Sequence, residues 1–222
     1  MIEIKNINDW HSLLAQAEIG DGKAQYEVAT YYESGWTIDG SEIVKIDLQL
    51  AFDWTKKAYE SGNIDGCERY ANYLTDGTYK YCEKNIALAM QLYERAMNAG
   101  SSSAAHNLGI EYRNKQNFEE ALELYLQAKD SLTIGLCYYY GIGTKKDRLK
   151  ALEFFKSVEP GVDSAYDVNE ANFMIGKIYL EGEVIEQSLE KARYHLELAD
   201  EEWDHDAAQG ILGVIGRKKM IN

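Results

Sequence analysis

Gly135-Leu136-Cys137-Tyr138-Tyr139-Tyr140-Gly141-Ile142-Gly143, followed by Asp147 and by Lys150-Ala151-Leu152-Glu153-Phe154-Phe155, decides how the whole chain is read. The stretch sets a small residue, an aromatic three positions later and then an Ala-aromatic segment in one order, and that order occurs five times. The small anchors are Ala29, Ala71, Gly109, Gly135 and Gly176, and the residues three on are Tyr32, Leu74, Tyr112, Tyr138 and Tyr179. After an interval of variable length come Ala51, Ala89, Ala121, Ala151 and Ala192, with Ala58, Ala96, Ala128, Val158 or Ala199 two helical turns beyond. Such self-similarity marks a supersecondary unit that cannot bury its apolar stripe alone and stacks on its neighbours to do so.

A small residue also precedes most anchors, at Ala24, Gly66, Ala104 and Ala171, and Ala208 repeats the theme in a final partial copy; Asp130 breaks it in the fourth. Bulky neighbours such as Val28 with Tyr32, or Ile175 with Tyr179, complete a stripe at helical spacing. The second segments follow the same logic, as in Ala89, Leu92, Tyr93 and Ala96, which share one helix face. Gly35, Gly77, Gly141 and Gly182 follow four of the first helices, where a left-handed terminating residue is favoured. The third copy has Lys115 there and needs only a tight turn around residues 114–117.

The expected fold is all-α, a right-handed alpha-alpha superhelix (solenoid) of about five helix-turn-helix repeats with N- and C-terminal capping helices. Trp10, Leu13, Leu14 and Ala17 resemble a lone second helix and define a cap over 7–20. Repeats follow over about 22–62, 63–100, 101–129, 130–161 and 165–200, with a closing helix over about 206–218, all in a single domain over 1–222.

The quoted fourth copy resembles the Sel-one-like repeat, a relative of the tetratricopeptide repeat with a longer loop between its helices. Asn107-Leu108-Gly109, Tyr112, Ala121, Tyr125 and Ala128 are instead spaced as in an ordinary tetratricopeptide repeat. The resemblance covers roughly residues 22 to 216. It departs at Leu74 for the usual Tyr, at Ala29 and Ala71 for Gly, and at Glu159-Pro160-Gly161, where the fourth copy degenerates.

Composition narrows the function. A formal net charge of −14 opposes binding to nucleic acid, whose affinity for proteins rests on Lys and Arg neutralising phosphates. A basic protein partner suits that field better. No run approaches the about 18 apolar residues of a membrane span, and residues 1–6 lack a basic stretch leading into an apolar core, so a cytoplasmic protein is expected. Cys67, Cys82 and Cys137 are odd in number and fall in no C-x-x-C spacing, which reads as buried or half-buried thiols.

Motifs for chemistry are missing from the sequence. There is no G-x-x-x-x-G-K-[ST] loop and no G-x-S-x-G elbow, and Gly141-Ile142-Gly143 reads as turn residues because no strand precedes it. His11, His106, His195 and His205 are dispersed, and His205 falls in an acidic stretch that reads as a solvated loop. A non-enzyme without cofactor or metal is expected. Some secreted, cysteine-rich Sel-one-like proteins are associated with beta-lactam binding or hydrolysis, but that link depends on repeat-by-repeat disulfides that this sequence lacks.

The resemblance also implies where a partner binds, since first helices of tetratricopeptide proteins line a concave groove. Transferred position by position, that face includes Tyr26, His106, Arg113, Leu132, Leu136, Tyr139, Tyr140, Phe173, Lys177 and Leu180, with an aromatic patch in the fourth and fifth copies. Tyrosine suits such a surface because it offers large contact area at little entropic cost and a hydrogen-bonding tip. The implied function is a protein–protein interaction module with a protein or peptide partner. Short acidic members resemble bacterial immunity proteins that bind and neutralise a secreted toxin; an adaptor or scaffold role and a small-ligand binder stay open.

Overall fold

The computed structural model describes residues 4–76, 82–201 and 205–219. By compactness the chain divides into two units, residues 1–111 and 112–222. The first contains α1 (Ile7–Glu18), α2 (Gly22–Ser34), β1 (Trp36–Ile38), β2 (Ser41–Val44), α3 (Leu48–Glu60), α4 (Ile64–Asp76) and α5 (Ile86–Asn98). α6 (Ser102–Asn114) crosses the division. The second continues with α7 (Phe118–Ala128), α8 (Ser131–Tyr140), α9 (Arg148–Lys156), α10 (Ala165–Glu181), α11 (Leu189–Ala199) and α12 (Asp206–Lys219).

Each hairpin is closed by one recurring backbone hydrogen bond. The residue that begins the second helix donates its N–H to the carbonyl of the residue three past the small anchor: Asp47 to Tyr32, Asn85 to Leu74, Asn117 to Tyr112, Asp147 to Tyr138 and Ser188 to Tyr179, at 2.8–3.1 Å. In four of the five the same residue also caps the helix with its side chain. Asp47, Asn85 and Asp147 accept through Oδ1 from the N–H groups of Leu50, Leu88 and Lys150, and Ser188 accepts through Oγ from Lys191. Those bonds satisfy N–H groups that a helix start leaves unpaired. Asn117 makes no such side-chain bond.

The small residues of the pattern are where helices touch. Ala29, Ala58, Ala71, Ala96, Ala121, Ala151, Ala192 and Ala199 are wholly inaccessible. A Cβ added to Gly135 would stand 2.5 Å from Cε1 of the buried Phe155, and one added to Gly176 would stand 2.8 Å from Cγ of Leu196. Leaving out that carbon lets the second helix come close enough to bury a ring or a Leu, each worth roughly 1.5–3 kcal/mol of apolar burial. The aromatic three positions on joins the same contact, since Tyr138 stacks on Phe154 with centroids 5.7 Å apart.

In the first unit, Trp10, Leu13 and Ala17 of α1 pack into a cluster with Ala24, Val28, Ala29 and Tyr31 of α2 and Trp54 of α3. Trp10 meets Tyr31 and Tyr32 edge-on at 5.8 and 5.6 Å. Between α2 and α3 the chain forms the β1–β2 hairpin, which the helical pattern alone did not foresee. Asp39 and Gly40 form its two-residue turn with φ of 48° and 79°, a signature of a mirror-image hairpin turn legible in the Asp-Gly dipeptide. The hairpin carries Trp36 against Tyr31 at 6.0 Å and buries Val44 in the same cluster.

Other local expectations need correction. Gly141 and Gly182 end their helices in the left-handed region, but Gly35, at φ 71° and ψ 167°, turns the chain outward into β1 instead. Gly77 lies outside the described residues. Val158 falls beyond α9, which ends at Lys156, so the second alanine-like position of the fourth repeat is not helical. Asp130 departs from the small-residue rule because it caps α8, accepting from the Thr133 N–H at 2.9 Å.

Three substitutions separate these effects. Asp147→Ala is expected to lower stability by about 1 kcal/mol, while Asn117→Ala, which loses no side-chain cap, stays within about 0.5 kcal/mol, both read from urea denaturation. Gly135→Ala is expected to cost about 1–3 kcal/mol through overpacking against Phe155, despite the better helix propensity of alanine.

Candidate functional site

Three groove positions of the C-terminal unit, Tyr139, Tyr140 and Lys177, lie beside Arg148 or on the Tyr139 ring that it covers. Gly141 ends α8, the loop returns through the Asp147–Tyr138 bond, and Arg148 becomes the first residue of α9. A cation at a helix N-terminus opposes the helix dipole, so its placement there calls for specific partners. They are the carboxylates at the end of α10 and just beyond it: Nη1 lies 2.9 Å from Glu181 Oε2 and pairs also with Glu183. The guanidinium carbon sits 4.9 Å from the centroid of the Tyr139 ring. Tyr139 donates its hydroxyl hydrogen to Glu181 Oε1 at 2.7 Å. Burial, reinforced by that bond to a carboxylate, holds its phenol well above the ordinary tyrosine range.

Around this junction, in which Tyr139 alone is buried, lies an accessible rim. Lys177 extends over the rings of Tyr139 and Phe173, with Nζ 5.2 and 5.6 Å from their centroids. Tyr140 packs edge-on to Tyr139 at 4.8 Å and keeps 54% of its surface exposed. An exposed phenol, an ammonium and the outward carboxylate of Glu183 thus stand on a pre-organised base, an arrangement suited to gripping a polar, aromatic-tolerant surface.

The structure sorts the ten expected groove residues. Tyr139 and Leu132 are buried, with 3% and 6% of their surfaces accessible, and so do not present free side chains; this corrects the expectation of an open aromatic patch. Leu132 is drawn in because Lys129, in the left-handed region, turns α7 directly into α8 with a single intervening residue, so the first turn of α8 packs against α7. Leu136 is half-buried, and Phe173 and Leu180 pack against a core cluster of Leu196, Ala199, Ala208 and Ile215. Tyr140 is exposed and Lys177 half-buried. Arg113 is exposed at the end of α6, and His106 is half-buried.

In the N-terminal unit Tyr26 is engaged by a residue that the groove reading missed. Arg69 of α4 donates to Tyr26 Oη and Thr30 Oγ1, both at 2.8 Å, pairs with Glu33 at 3.4 Å, and stacks on the Tyr26 ring at 4.1 Å. Similarly, Asn72 accepts from the Tyr93 hydroxyl at 2.7 Å and from Asn107 Nδ2 at 3.2 Å, and Glu68 accepts from Ser101 at 2.6 Å. Burial pushes the Tyr93 phenol up to about 12. Polar side chains of α2 and α4 therefore tie repeats together.

The remaining titratable groups serve packing. Cys67 and Cys137 are buried free thiols, Cys82 is half-buried, and burial raises all three, Cys137 to about 11. His205 is not in a solvated loop: its Nδ1 accepts from the Ala208 N–H at 3.2 Å and caps α12, while Nε2 lies 3.3 Å from Glu170 Oε2. Its side chain is 15% exposed because Phe173 packs against the ring at 4.5 Å. His195 stacks on Tyr179 at 5.8 Å and donates from Nδ1 to Asn172 Oδ1 at 2.9 Å. Among the described residues no group of His, Cys, Asp and Glu is arranged to hold a metal, and no helix is long and apolar enough to cross a membrane.

Paired helices joined at small anchors and repeated in register define an α-α repeat protein of the solenoid class. A family model for the Sel1 repeat matches residues 22–63, 64–101, 102–131, 134–157 and 169–199, more than half of the chain, and the chain belongs to the Sel1 repeat family. Sel1 repeats mediate protein–protein interaction. The Sel1-repeat-containing protein YjcO of Escherichia coli K12 is 29% identical over 203 residues, covering 84% of this chain and 81% of the relative. Two crystal structures show the same fold. A protective antigen of uropathogenic Escherichia coli strains, displaying an SLR fold, matches 95% of this chain with a TM-score of 0.77 at 21% identity; this chain spans 44% of its length. A Sel1 repeat protein from Oxalobacter formigenes matches 95% of this chain and 89% of its own length, with a TM-score of 0.71 at 21% identity.

Burial, aided by the charge of Lys156, lowers the His195 pKa from its usual 6.5. The unfolded chain then binds the proton more readily than the folded one, so the stability associated with His195 is complete above about pH 6.5 and is lost as pH falls through the depressed folded value. His195→Gln is expected to flatten this part of the stability–pH curve measured by denaturant titration. An unchanged slope between wild type and variant would contradict the assignment.

Proposed function

We propose that this chain is a non-catalytic protein-binding module of the bacterial cytoplasm, and that it acts as an immunity protein capturing and neutralising a basic toxin. The observation that carries the reading is the formal net charge of −14 on a member of a protein-interaction repeat family. A negative field of this size steers a positively charged protein toward the surface and repels nucleic acid. The perturbed side chains support binding over chemistry. The shifts of Tyr93, Tyr125, Cys137 and Tyr139 have burial as their largest cause, the mark of packed cores and not of a paired acid and base. For capture, the C-terminal unit offers Tyr140, Lys177 and Glu183 on the base built by Arg148, Tyr139 and Glu181.

Co-expression with toxins encoded beside this gene is expected to restore growth and to yield a stable complex whose association rate falls as NaCl is raised. Tyr140→Ala is expected to weaken the complex at least tenfold with an unchanged melting temperature. Absence of rescue against every neighbouring toxin would overturn the immunity reading, and a stable complex without rescue would make the chain an adaptor.

A further inference from the structure

Among the lysines whose side chains are described, Lys177 is the one that is not exposed. It stands one residue past the small anchor of α10, where the other repeats carry Thr30, Asn72, Ile110 and Leu136, none of them charged. Among the described residues its ammonium forms no ion pair. It lies instead over two ring faces, those of Phe173 on its own helix and Tyr139 on α8, at 5.6 and 5.2 Å. The carboxylate one turn on, Glu181, is already engaged: Oε1 accepts from the Tyr139 hydroxyl at 2.7 Å and Oε2 pairs with Arg148 at 2.9 Å. Glu183 is held by the same guanidinium. A ring face attracts an ammonium but offers its N–H donors no lone pair in the plane of a carboxylate. A charge drawn partly out of water without a hydrogen-bonding counter-ion is costly, and a carboxylate brought to it relieves that cost.

We infer that Lys177 takes the side-chain carboxylate of an Asp or Glu on the partner protein and thereby sets the register in which that protein docks. The inference rests on the protein-binding reading and names the partner group that the rim receives. Charge complementarity selects the occupant. On a chain of net charge −14, an acidic side chain of the partner set elsewhere meets repulsion, so a single place of neutralisation separates the correct docking from shifted ones. A basic protein with one acidic anchor fits both the field and this position. The two rings hold the ammonium between α8 and α10, so little rotamer freedom is left to lose on binding. Leu136 and Phe173, half-buried on the same two helices, add apolar surface that suits an aliphatic neighbour of the acidic residue. A side chain standing out from a folded surface reaches one ammonium, whereas capture of a chain end calls for several donors converging on its carboxylate.

The probes are short peptides titrated into the full, isotope-labelled chain and followed by the amide resonances of Tyr140 and Lys177. Acetyl-Leu-Glu-Leu-amide carries a side-chain carboxylate, acetyl-Leu-Gln-Leu-amide carries none, and acetyl-Leu-Gln-Leu with a free C-terminus carries a chain-terminal one. Saturable shifts that weaken as NaCl is raised are expected with the glutamate peptide, and binding at least tenfold weaker with the other two. Lys177→Met keeps an apolar stem over the rings and removes the charge; it is expected to abolish glutamate-peptide binding while the melting temperature stays unchanged or rises. Lys177→Arg is expected to retain binding. Absence of saturable shifts, equal binding of the neutral peptide, or binding unchanged in Lys177→Met would overturn the proposal. Tighter binding of the free C-terminus overturns it in favour of a chain end. A melting temperature lowered by Lys177→Met overturns it as well, because the ammonium would then serve the two rings. Growth rescue undiminished in Lys177→Met counts against this partner group alone; glutamate-peptide binding without rescue by wild-type protein counts against the immunity reading alone.

Discussion

The backbone hydrogen bond that closes every hairpin is the constraint on which the other features rest. From Asp47, Asn85, Asn117, Asp147 and Ser188 it runs to the residue three past each small anchor, and so sets where every second helix begins. With both ends of the connection held, loop length matters little to the packing of the helices it joins. The third repeat closes with a tight turn at Gln116, whereas the first inserts a complete β-hairpin between the same two points. Loop-closure entropy grows only slowly with length, so the longer connections add a modest cost. The first repeat offsets part of it by burying Val44 and packing Trp36 against Tyr31.

Fixed helix starts bring the small residues into contact, and that close approach determines which polar groups remain for binding. First helices of neighbouring repeats are near enough for Arg69 to reach Tyr26 and Thr30, and for the Tyr139 hydroxyl to reach Glu181. Side chains that a groove reading assigns to a partner are thereby engaged in joining repeats. What remains accessible is a rim, with Tyr140 and Lys177 held over the buried Tyr139 ring and its ion-paired neighbours. Such a base restricts the rotamers of the rim residues before a partner arrives, which reduces the entropic cost of binding.

The repeats, their register, the capping helices and the buried thiols were legible because they depend on residue size and spacing within a few helical turns. The Asp39-Gly40 turn was also legible in principle, but the helical periodicity on both sides drew the reading toward a plain loop. Arg69 and Arg148 were not. Each has partners far along the chain, separated from Tyr26 by 43 residues in one case and joined with Tyr139 and Glu181, themselves 42 apart, in the other. A cation opening α9 against the helix dipole was the one local hint of the second cluster. His205 was misread because its acidic flanks suggested solvent, while its role as the cap of α12 depends on Phe173 and Glu170 from another helix.

By itself the sequence determined that this chain is a stack of helix pairs, since a small residue, an aromatic and an Ala-aromatic segment in fixed order can bury their stripes only against copies of one another. Its charge of −14 likewise limited the kinds of partner. Only the tertiary structure decided which tyrosines are buried and which are free, and which glycine is filled and which is open. Gly135, Gly176 and Gly213 occupy equivalent places in the pattern, yet the first two lie against Phe155 and Leu196 while no atom of the described residues stands within 4 Å of a Cβ added to the third. The difference is one of packing: a glycine shows only that a neighbour is able to come close, and whether one does depends on the helix placed beside it.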